Sequence, residues 1–454
     1  MKASLLVVVC GVALAAASAC RGPESQLAAS TVRPSSCDLA LAPFAARLDG
    51  DETLAALQES ARVDGPRTAA QLENLAYRFV RRARLSYDGA DYTRADAAAR
   101  CLEERHPGDR QAALLRGHVL HQQHRFAEAE AVARQLVRDR GDALDYGLLG
   151  DALMEQGRLD QAVDAYQQMA DRKPHFQSYT RAAHVRWLRG DLDGARTMML
   201  QAVRSASPRD GESLAWAETR LALYEWQAGR ADEAAALVGQ ALARQPGYAP
   251  ALLARGRLLL SSGRATDAVA PLRQAASIAN EPDYQWTLVE ALRAAGDAGE
   301  AERVEHALDA DGARRDPRTF ALFASTRALT RDARPGDAAT AVDLVAQERE
   351  RRQDVFTLDA AAWALAAVGR ADEAYAVAAD ALAVGTKDAR LLYHAAVIAS
   401  LAGHDREARA RFAEARALGH MLLPSERQDL LSRAAGARGR TAAHHRQPSA
   451  LSAS

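Results

Sequence analysis

Three histidines spaced three residues apart are the first place in the sequence where a metal ion could bind. They are His118, His121 and His124. On a helix His118 and His121 share a face, and imidazole nitrogens are good ligands for zinc or copper. No adjacent carboxylate or thiol completes the set, and surface histidines are common. We therefore predict no metal site here, and His444 with His445 near the end of the chain is a weaker candidate.

Motifs for other catalytic chemistries are absent from the sequence. It contains no H-E-x-x-H zinc helix, no G-x-x-x-x-G-K-S/T phosphate loop, no G-x-S-x-G nucleophile and no dinucleotide-binding glycine pattern. Its carboxylates are scattered over predicted solvent faces, and nothing selects a pair for acid–base work. We therefore expect no cofactor and no enzyme activity, and keep catalysis as the weakest alternative.

The N-terminus is typical of an export signal. Lys2 is followed by an apolar run from Leu5 to Ala17, and its 13 residues are too few for a transmembrane helix of about 20. Cleavage after Ala19 would place Cys20 at the new N-terminus, and this segment resembles a bacterial lipoprotein box, although Leu is usual at the position of Ala17. Lipidation of Cys20 and release by an ordinary signal peptidase both stay open. We predict a periplasmic or membrane-anchored protein, or otherwise a secreted one.

Two further cysteines, Cys37 and Cys101, remain after such processing. An exported compartment permits a disulfide. A bridge closing a loop of about 64 residues would contribute about 4 kcal/mol by chain entropy. The alternative is two unrelated buried thiols, and the sequence does not choose between them.

The composition favours an all-α fold. By count 105 of the 454 residues are Ala, whereas aromatic residues reach only 5%. Ala has the highest helix propensity, and a strand-rich fold would need more β-branched and aromatic residues. A net charge of −1 argues against a nucleic-acid binder or a basic membrane-surface protein.

A repeat of about 34 residues organises most of the chain. Apolar residues at helical spacing occur on both sides of a turn position that recurs in steps of 33 to 40 residues. The turn positions are Ala90, His124, Gly157, Gly190, Gly229, Gly263, Gly296, Gly336, Gly369 and Gly403. Five residues after each of them is an Ala, where a larger side chain would push two paired helices apart.

This pattern resembles the tetratricopeptide-repeat family over about residues 76 to 422. The best unit carries the family pattern at Tyr146, Leu149, Gly150, Leu153, Gly157, Ala162, Tyr166 and Pro174. The resemblance implies a right-handed α-solenoid of about ten helix pairs that binds other proteins. Two units depart from the pattern, with Glu305 where an aromatic is usual and Asp332 in a first helix, and we expect them to be loosened or shifted.

The repeat also predicts the organisation of the chain. We expect lengthened loops near 207–211 and 309–316, where the repeat step grows by about six residues. The predicted segments are a signal peptide at 1–19, a linker at 20–38, capping helices at 39–75, the array at 76–422, a capping helix at 423–435 and a disordered tail at 436–454.

The five Trp fall on one stripe of the first helices, at 3, 6, 10 or 13 residues before a turn position. This stripe lies about 150° around the helix from the residues that face the second helix. The resemblance implies that it lines a concave groove, and Trp and Arg are frequent at binding hot spots. The groove candidates are Trp187, Trp226, Trp286, Trp363, His184, Arg257, Arg293 and Tyr393. The alternative is that these residues pack first helices together as array core.

Together these features predict a non-catalytic scaffold at the bacterial cell envelope. Its partner would be an unidentified protein or peptide held in the concave groove, with no nucleic acid and with membrane contact only through a lipid anchor on Cys20. An envelope assembly factor that acts through self-association is the alternative from another class.

Overall fold

The computed structural model describes residues 34–444 except 45–47, 49 and 331–333, and for 437–444 it describes the backbone alone. The predicted signal peptide, Cys20 and Asp332 lie outside the described residues. Within the described part every regular element is a helix. None of these helices has the length and apolar character needed to cross a membrane.

Ten helix pairs form the array, as the repeat predicts. Helices α1 (Ser36–Ala40) and α2 (Asp51–Ser60) precede it, and a 3-10 helix (Gly419–Met421) and α23 (Pro424–His444) follow it. The first helices are α3 (Thr68–Ser86), α5 (Arg110–Gln122), α7 (Ala143–Glu155), α9 (Phe176–Leu188), α11 (Gly211–Gln227), α13 (Ala249–Ser261), α15 (Pro282–Ala295), α17 (Pro317–Ala328), α19 (Val355–Ala367) and α21 (Ala389–Leu401). The second helices are α4 (Gly89–Arg105), α6 (Phe126–Asp139), α8 (Leu159–Arg172), α10 (Leu192–Ser205), α12 (Ala231–Arg244), α14 (Ala265–Ala279), α16 (Ala298–Arg315), α18 (Asp337–Arg351), α20 (Ala371–Ala383) and α22 (Asp405–Ala417).

The turns and the Ala positions explain why the pairs form. Nine of the ten predicted turn residues have a positive φ, a backbone conformation that favours Gly. The first turn differs from the prediction, because Ala90 lies within α4 and the residue with positive φ is Tyr87. All ten Ala residues that follow the turns are 0% exposed, and they are Ala95, Ala129, Ala162, Ala195, Ala234, Ala268, Ala301, Ala341, Ala374 and Ala408.

Several boundaries differ from the predicted ones. The array begins at Thr68 rather than at 76, and α23 continues beyond 435 to His444. A loop does precede α11 at the first insertion, but the second insertion lengthens α16 instead of a loop. Gly312 permits this, because a Cβ there would come within 2.6 Å of the Phe320 ring, so the helix can pack closely on α17.

The departure at Glu305 is compensated by charge. The Glu305 side chain is buried, and its carboxylate forms ion pairs with Arg293 at 2.6 Å and Arg327 at 3.3 Å. Arg327 also contacts the carboxylate of Asp337 at 2.6 Å. A network of paired charges therefore replaces the expected aromatic packing, since a buried charge needs such partners. This unit keeps its helix pair in register.

A disulfide joins Cys37 on α1 to Cys101 on α4, with 4.7 Å between the Cα atoms. Cys101 is fully buried beside the apolar residues of the first pair. The bridge therefore attaches the segment before the array to its first pair.

Successive turns of the solenoid touch along a seam between helix pairs that are six pairs apart. The backbone N–H of Gln353 donates to the carbonyl of Glu155 at 2.9 Å, and Thr386 Oγ1 donates to the carbonyl of Leu188 at 2.6 Å. Equivalent contacts join Tyr87 to Tyr284 and Trp226 to His420. In the first three contacts the end of a first helix meets the region around the start of a first helix six pairs later, and in the fourth the end of α11 meets the 3-10 helix that follows the array.

Candidate functional site

Half of the predicted groove residues are buried in the structure. Trp226, Trp286, Trp363 and Tyr393 are between 1% and 4% exposed. For these four residues the structure corrects the assignment to an accessible groove and places them in the array core, as the alternative predicts. The physical reason is packing between neighbouring first helices, since Trp363 contacts His394 on α21 and Trp286 contacts Phe323 on α17.

Each of these buried aromatics is held by a specific neighbour. The Trp363 ring stacks on His394 with 4.1 Å between centroids, and its Nε1 donates to Thr326 at 3.0 Å. The Trp286 ring lies under the guanidinium of Arg390 at 4.8 Å. Such contacts give the polar atom of a buried aromatic a hydrogen-bond partner and its ring face a packing partner. These side chains are thus engaged within the chain.

Arg257 and Arg293 lie elsewhere on the first helices and are paired. Arg257 Nη2 donates to Asp283 at 2.6 Å and to the Thr287 hydroxyl at 3.2 Å. Arg293 is more exposed and pairs with Glu305 on the second helix of its own unit. The structure therefore does not bring these two arginines to the remaining candidates.

Two of the predicted residues, Trp187 and His184, keep partial solvent access in a group of side chains that we call the Trp187 patch. It comprises Trp187, His184, Arg220, Tyr224 and Phe356, from α9, α11 and α19. The Trp187 ring stacks on His184 and on Phe356, both with 5.9 Å between centroids. All members except Tyr224 are half-buried. The patch therefore offers a partly exposed aromatic surface on the inner side of the solenoid.

Arg220 supplies the charge of this patch. Its guanidinium lies 6.0 Å from the Trp187 ring centroid and 5.8 Å from the Tyr224 centroid. Among the described residues no carboxylate forms an ion pair with it. Burial, together with the Arg220 charge, lowers the pKa of His184 to about 3, so this imidazole is neutral at neutral pH. The patch thus carries one positive charge that no carboxylate in the described part of the chain neutralises by an ion pair.

Next to the patch lies a closed acid–base pair. Arg181 donates to both carboxylate oxygens of Asp151, at 2.8 and 2.5 Å, and the Tyr166 hydroxyl donates to the same carboxylate at 2.9 Å. Burial alone would raise the pKa of Asp151, but the Arg181 charge and hydrogen bonds hold it below its usual value. Asp151 is therefore a structural anion, with its acceptors already used.

Among the described residues, the three histidines that could ligate a metal do not belong to a larger group of ligand side chains. Burial lowers the pKa of His118 to about 3, and His121 and His124 contact the Phe126 ring. Within the described residues no group of three or more His, Cys, Asp or Glu side chains is arranged to hold a metal ion.

Glu155, whose carbonyl accepts a hydrogen bond across the seam, carries a carboxyl group with a raised pKa. Burial and the Asp354 carboxylate raise the pKa of Glu155 to about 7, against opposing effects of Arg352 and Arg318. The folded protein therefore binds the proton of the Glu155 carboxyl more tightly than the unfolded chain does. As the pH rises from about 4.5 to 7 the folded protein loses this stabilisation relative to the unfolded chain, and above pH 7 the loss is complete.

We therefore expect Glu155→Gln to raise the free energy of unfolding by about 2 kcal/mol at pH 8 and to change it little at pH 4.5. Urea unfolding of both proteins at the two pH values measures this difference. The exposed Glu350 provides the control, and Glu350→Gln should have no pH-dependent effect. An equal effect of Glu155→Gln at both pH values would contradict the placement of this carboxyl in a closed seam.

Comparison with known proteins identifies the repeats. Two family models, both described as tetratricopeptide repeat, match residues 80–143 and 148–212 and residues 225–292. No curated protein matches the chain.

Solved structures share the general architecture at low identity. The Cut9–Hcn1 hetero-tetramer of the APC/C has a chain 13% identical, with a TM-score of 0.44; the match covers 88% of the present chain but only 62% of that one. Human IFIT1, solved with m7Gppp-AAAA, is 12% identical with a TM-score of 0.47, and the match covers 81% of the present chain and 86% of IFIT1. A tetratricopeptide-repeat protein from Parabacteroides merdae is 13% identical with a TM-score of 0.36, covering 52% and 92%. Likeness at this level concerns the fold alone.

The matched residues lie in pairs one to seven of the array. The remaining pairs have the same two-helix form and the same buried Ala after the turn. The chain therefore contains tetratricopeptide repeats, which indicate a protein–protein interaction scaffold, and its fold is an all-α solenoid built from them.

Proposed function

We propose that this protein is a non-catalytic scaffold that binds a segment of another protein at the Trp187 patch. The observation that carries the proposal is the guanidinium of Arg220, which forms no ion pair with any described residue, beside the half-buried Trp187 ring. Partly exposed aromatic and Arg side chains are the types that most often dominate binding energy. Such a surface suits a segment that presents an apolar side chain next to a carboxylate. The neutral His184 adds contact area without a competing charge.

We further propose that the scaffold works outside the cytoplasm, at a bacterial cell envelope. The Cys37–Cys101 bridge supports this location, because disulfides persist in oxidising compartments. The apolar N-terminal run and Cys20 provide the export signal and the candidate lipid anchor. The mass of the mature N-terminal peptide, isolated from the expressing cell, distinguishes an acylated Cys20 from an unmodified one, and an uncleaved N-terminus in the cytoplasm would overturn the export proposal.

Affinity capture followed by measurement of the dissociation constant tests the binding proposal. We expect Trp187→Ala and Arg220→Ala to weaken binding of the captured partner at least tenfold, about 1.4 kcal/mol or more. Trp216 is the matched control, because it is another partly exposed Trp on a first helix and lies outside the patch. Trp216→Ala should bind like the unmodified protein. Equal affinity for all variants would remove the patch from the proposal.

A further inference from the structure

Helix α23 occupies the inner face at the C-terminal end of the solenoid. The backbone N–H and the hydroxyl of Ser425 donate to the Glu290 carboxylate on α15, at 3.0 and 2.7 Å. Glu290 is 5% exposed, so burial raises its pKa while the Ser425 hydrogen bonds oppose that effect. Within the described residues both hydrogen bonds recorded for this carboxylate come from Ser425. Glu290 thus binds the first turn of α23, where backbone N–H groups lack helical partners.

Two further polar contacts fix α23 against α21. Arg390 Nε donates to Glu426 at 2.8 Å, and the Tyr393 hydroxyl donates to Asp429 at 2.6 Å. The three contacts with α15 and α21 thus come from the N-terminal end of α23. Glu426 and Asp429 follow Ser425 by one and four residues. On a helix, residues three and four apart share a face, so Ser425 and Asp429 approach the inner face together.

Helix α23 also buries two apolar residues, Leu430 and Ala434, which a replacing helix must match. It is the last described helix, and only the 3-10 helix joins it to α22. Its release would leave the buried Glu290 carboxylate without a donor, which is costly unless another group replaces Ser425. A ligand that replaces α23 must therefore present polar groups of the same kind at the same spacing.

We propose that the inner face of α15 and α21 is a helix-binding site, which α23 fills in the free protein and an external helix of matching chemistry can take over. That helix has a Ser or Thr in its first turn and carboxylates one and four residues later. This inference rests on the proposed function in using the inner face as a binding surface, but it concerns a different part of that face from the Trp187 patch.

A fluorescent peptide of residues 418–436, added to the full-length protein, tests the proposal by anisotropy. The triple variant Ser425→Ala, Glu426→Gln and Asp429→Asn weakens the internal helix and should bind the peptide at least tenfold more tightly than the unmodified protein does. The control Gln428→Ala with Ser432→Ala changes exposed positions of α23 and should bind like the unmodified protein. Adding Glu290→Gln to the triple variant should remove the gain.

No tighter binding by a triple variant that keeps its helical circular dichroism would overturn the proposal. If that variant loses its helix content, hydrogen exchange of the unmodified protein decides. Amides of 428–434 that exchange at least tenfold faster than those of α21 support release of α23, whereas equal protection overturns it. Trp187→Ala should leave peptide binding unchanged, so failure of this site and failure of the Trp187 patch can be told apart.

Discussion

Replacing Gly190 with alanine is expected to lower the free energy of unfolding by about 3 kcal/mol, of which about 1 kcal/mol comes from placing a side chain at positive φ. The remainder arises at the seam. Gly190 has a φ of 75°, and a Cβ there would come within 2.6 Å of the Gly385 carbonyl oxygen. Backbone that approaches so closely cannot accommodate a methyl group unless the two turns of the solenoid move apart.

Gly263 separates the two effects. Its φ is 77°, almost equal to that of Gly190, but no atom lies within 4 Å of the Cβ position. Gly263→Ala should therefore cost only about 1 kcal/mol. Urea unfolding measures both variants, and small-angle scattering should show a larger radius of gyration for Gly190→Ala alone. Equal losses of stability with unchanged dimensions would mean that the seam does not hold the solenoid closed.

The local part of this fold is predictable from sequence because its determinants are local. Helical spacing, a Gly at the turn and an Ala five residues later define each pair, and the structure confirms all ten pairs and the burial of every such Ala. Where the predicted position of a turn differs from the structure, the cause is local as well. The repeat predicts the first turn at Ala90, whereas the residue with positive φ is Tyr87, and no Gly marks its position in the sequence.

The seam could not be predicted in this way. Its contacts join residues about 200 positions apart, and they depend on small rotations between neighbouring pairs that accumulate along the solenoid. Gly157 and Gly190 look like every other turn glycine in the sequence, yet only their position along the superhelix brings backbone from a later pair against them. Trp363 is buried for a different reason, because it packs against Thr326 and His394 on the two neighbouring first helices.

Arg220 was missed for a related reason. It lies nine residues before Gly229, outside the stripe on which the Trp residues fall. Its importance comes from the absence of an internal counter-ion among the described residues and from its position beside Trp187. Neither property leaves a signal in a single sequence, because the partner in an ion pair can come from a helix of a neighbouring unit, as for Arg181 and Asp151.

Reduction of the Cys37–Cys101 bridge is expected to lower the free energy of unfolding of the N-terminal pair by about 4 kcal/mol, since the bridge closes a loop across 64 positions. Helix α1 is only five residues long and could not stay attached by its own hydrogen bonds. We therefore expect α1 and α2 to lose protection against hydrogen exchange on reduction, and pairs from Gly141 onward to keep theirs, because each pair in such an array contacts mainly its neighbours.

The double variant Cys37→Ala and Cys101→Ala is the control for effects of the reductant itself. It should unfold at the midpoint of the reduced protein and should not respond to reductant. If reduction left both stability and exchange unchanged, the bridge would add nothing to the fold, and the support that it gives to an oxidising compartment would be lost. If reduction lowers the free energy of unfolding as predicted, the first pair needs the disulfide for its full stability. The bridge would not persist in a reducing cytoplasm. Export and folding of the N-terminal cap would then be linked by one covalent bond.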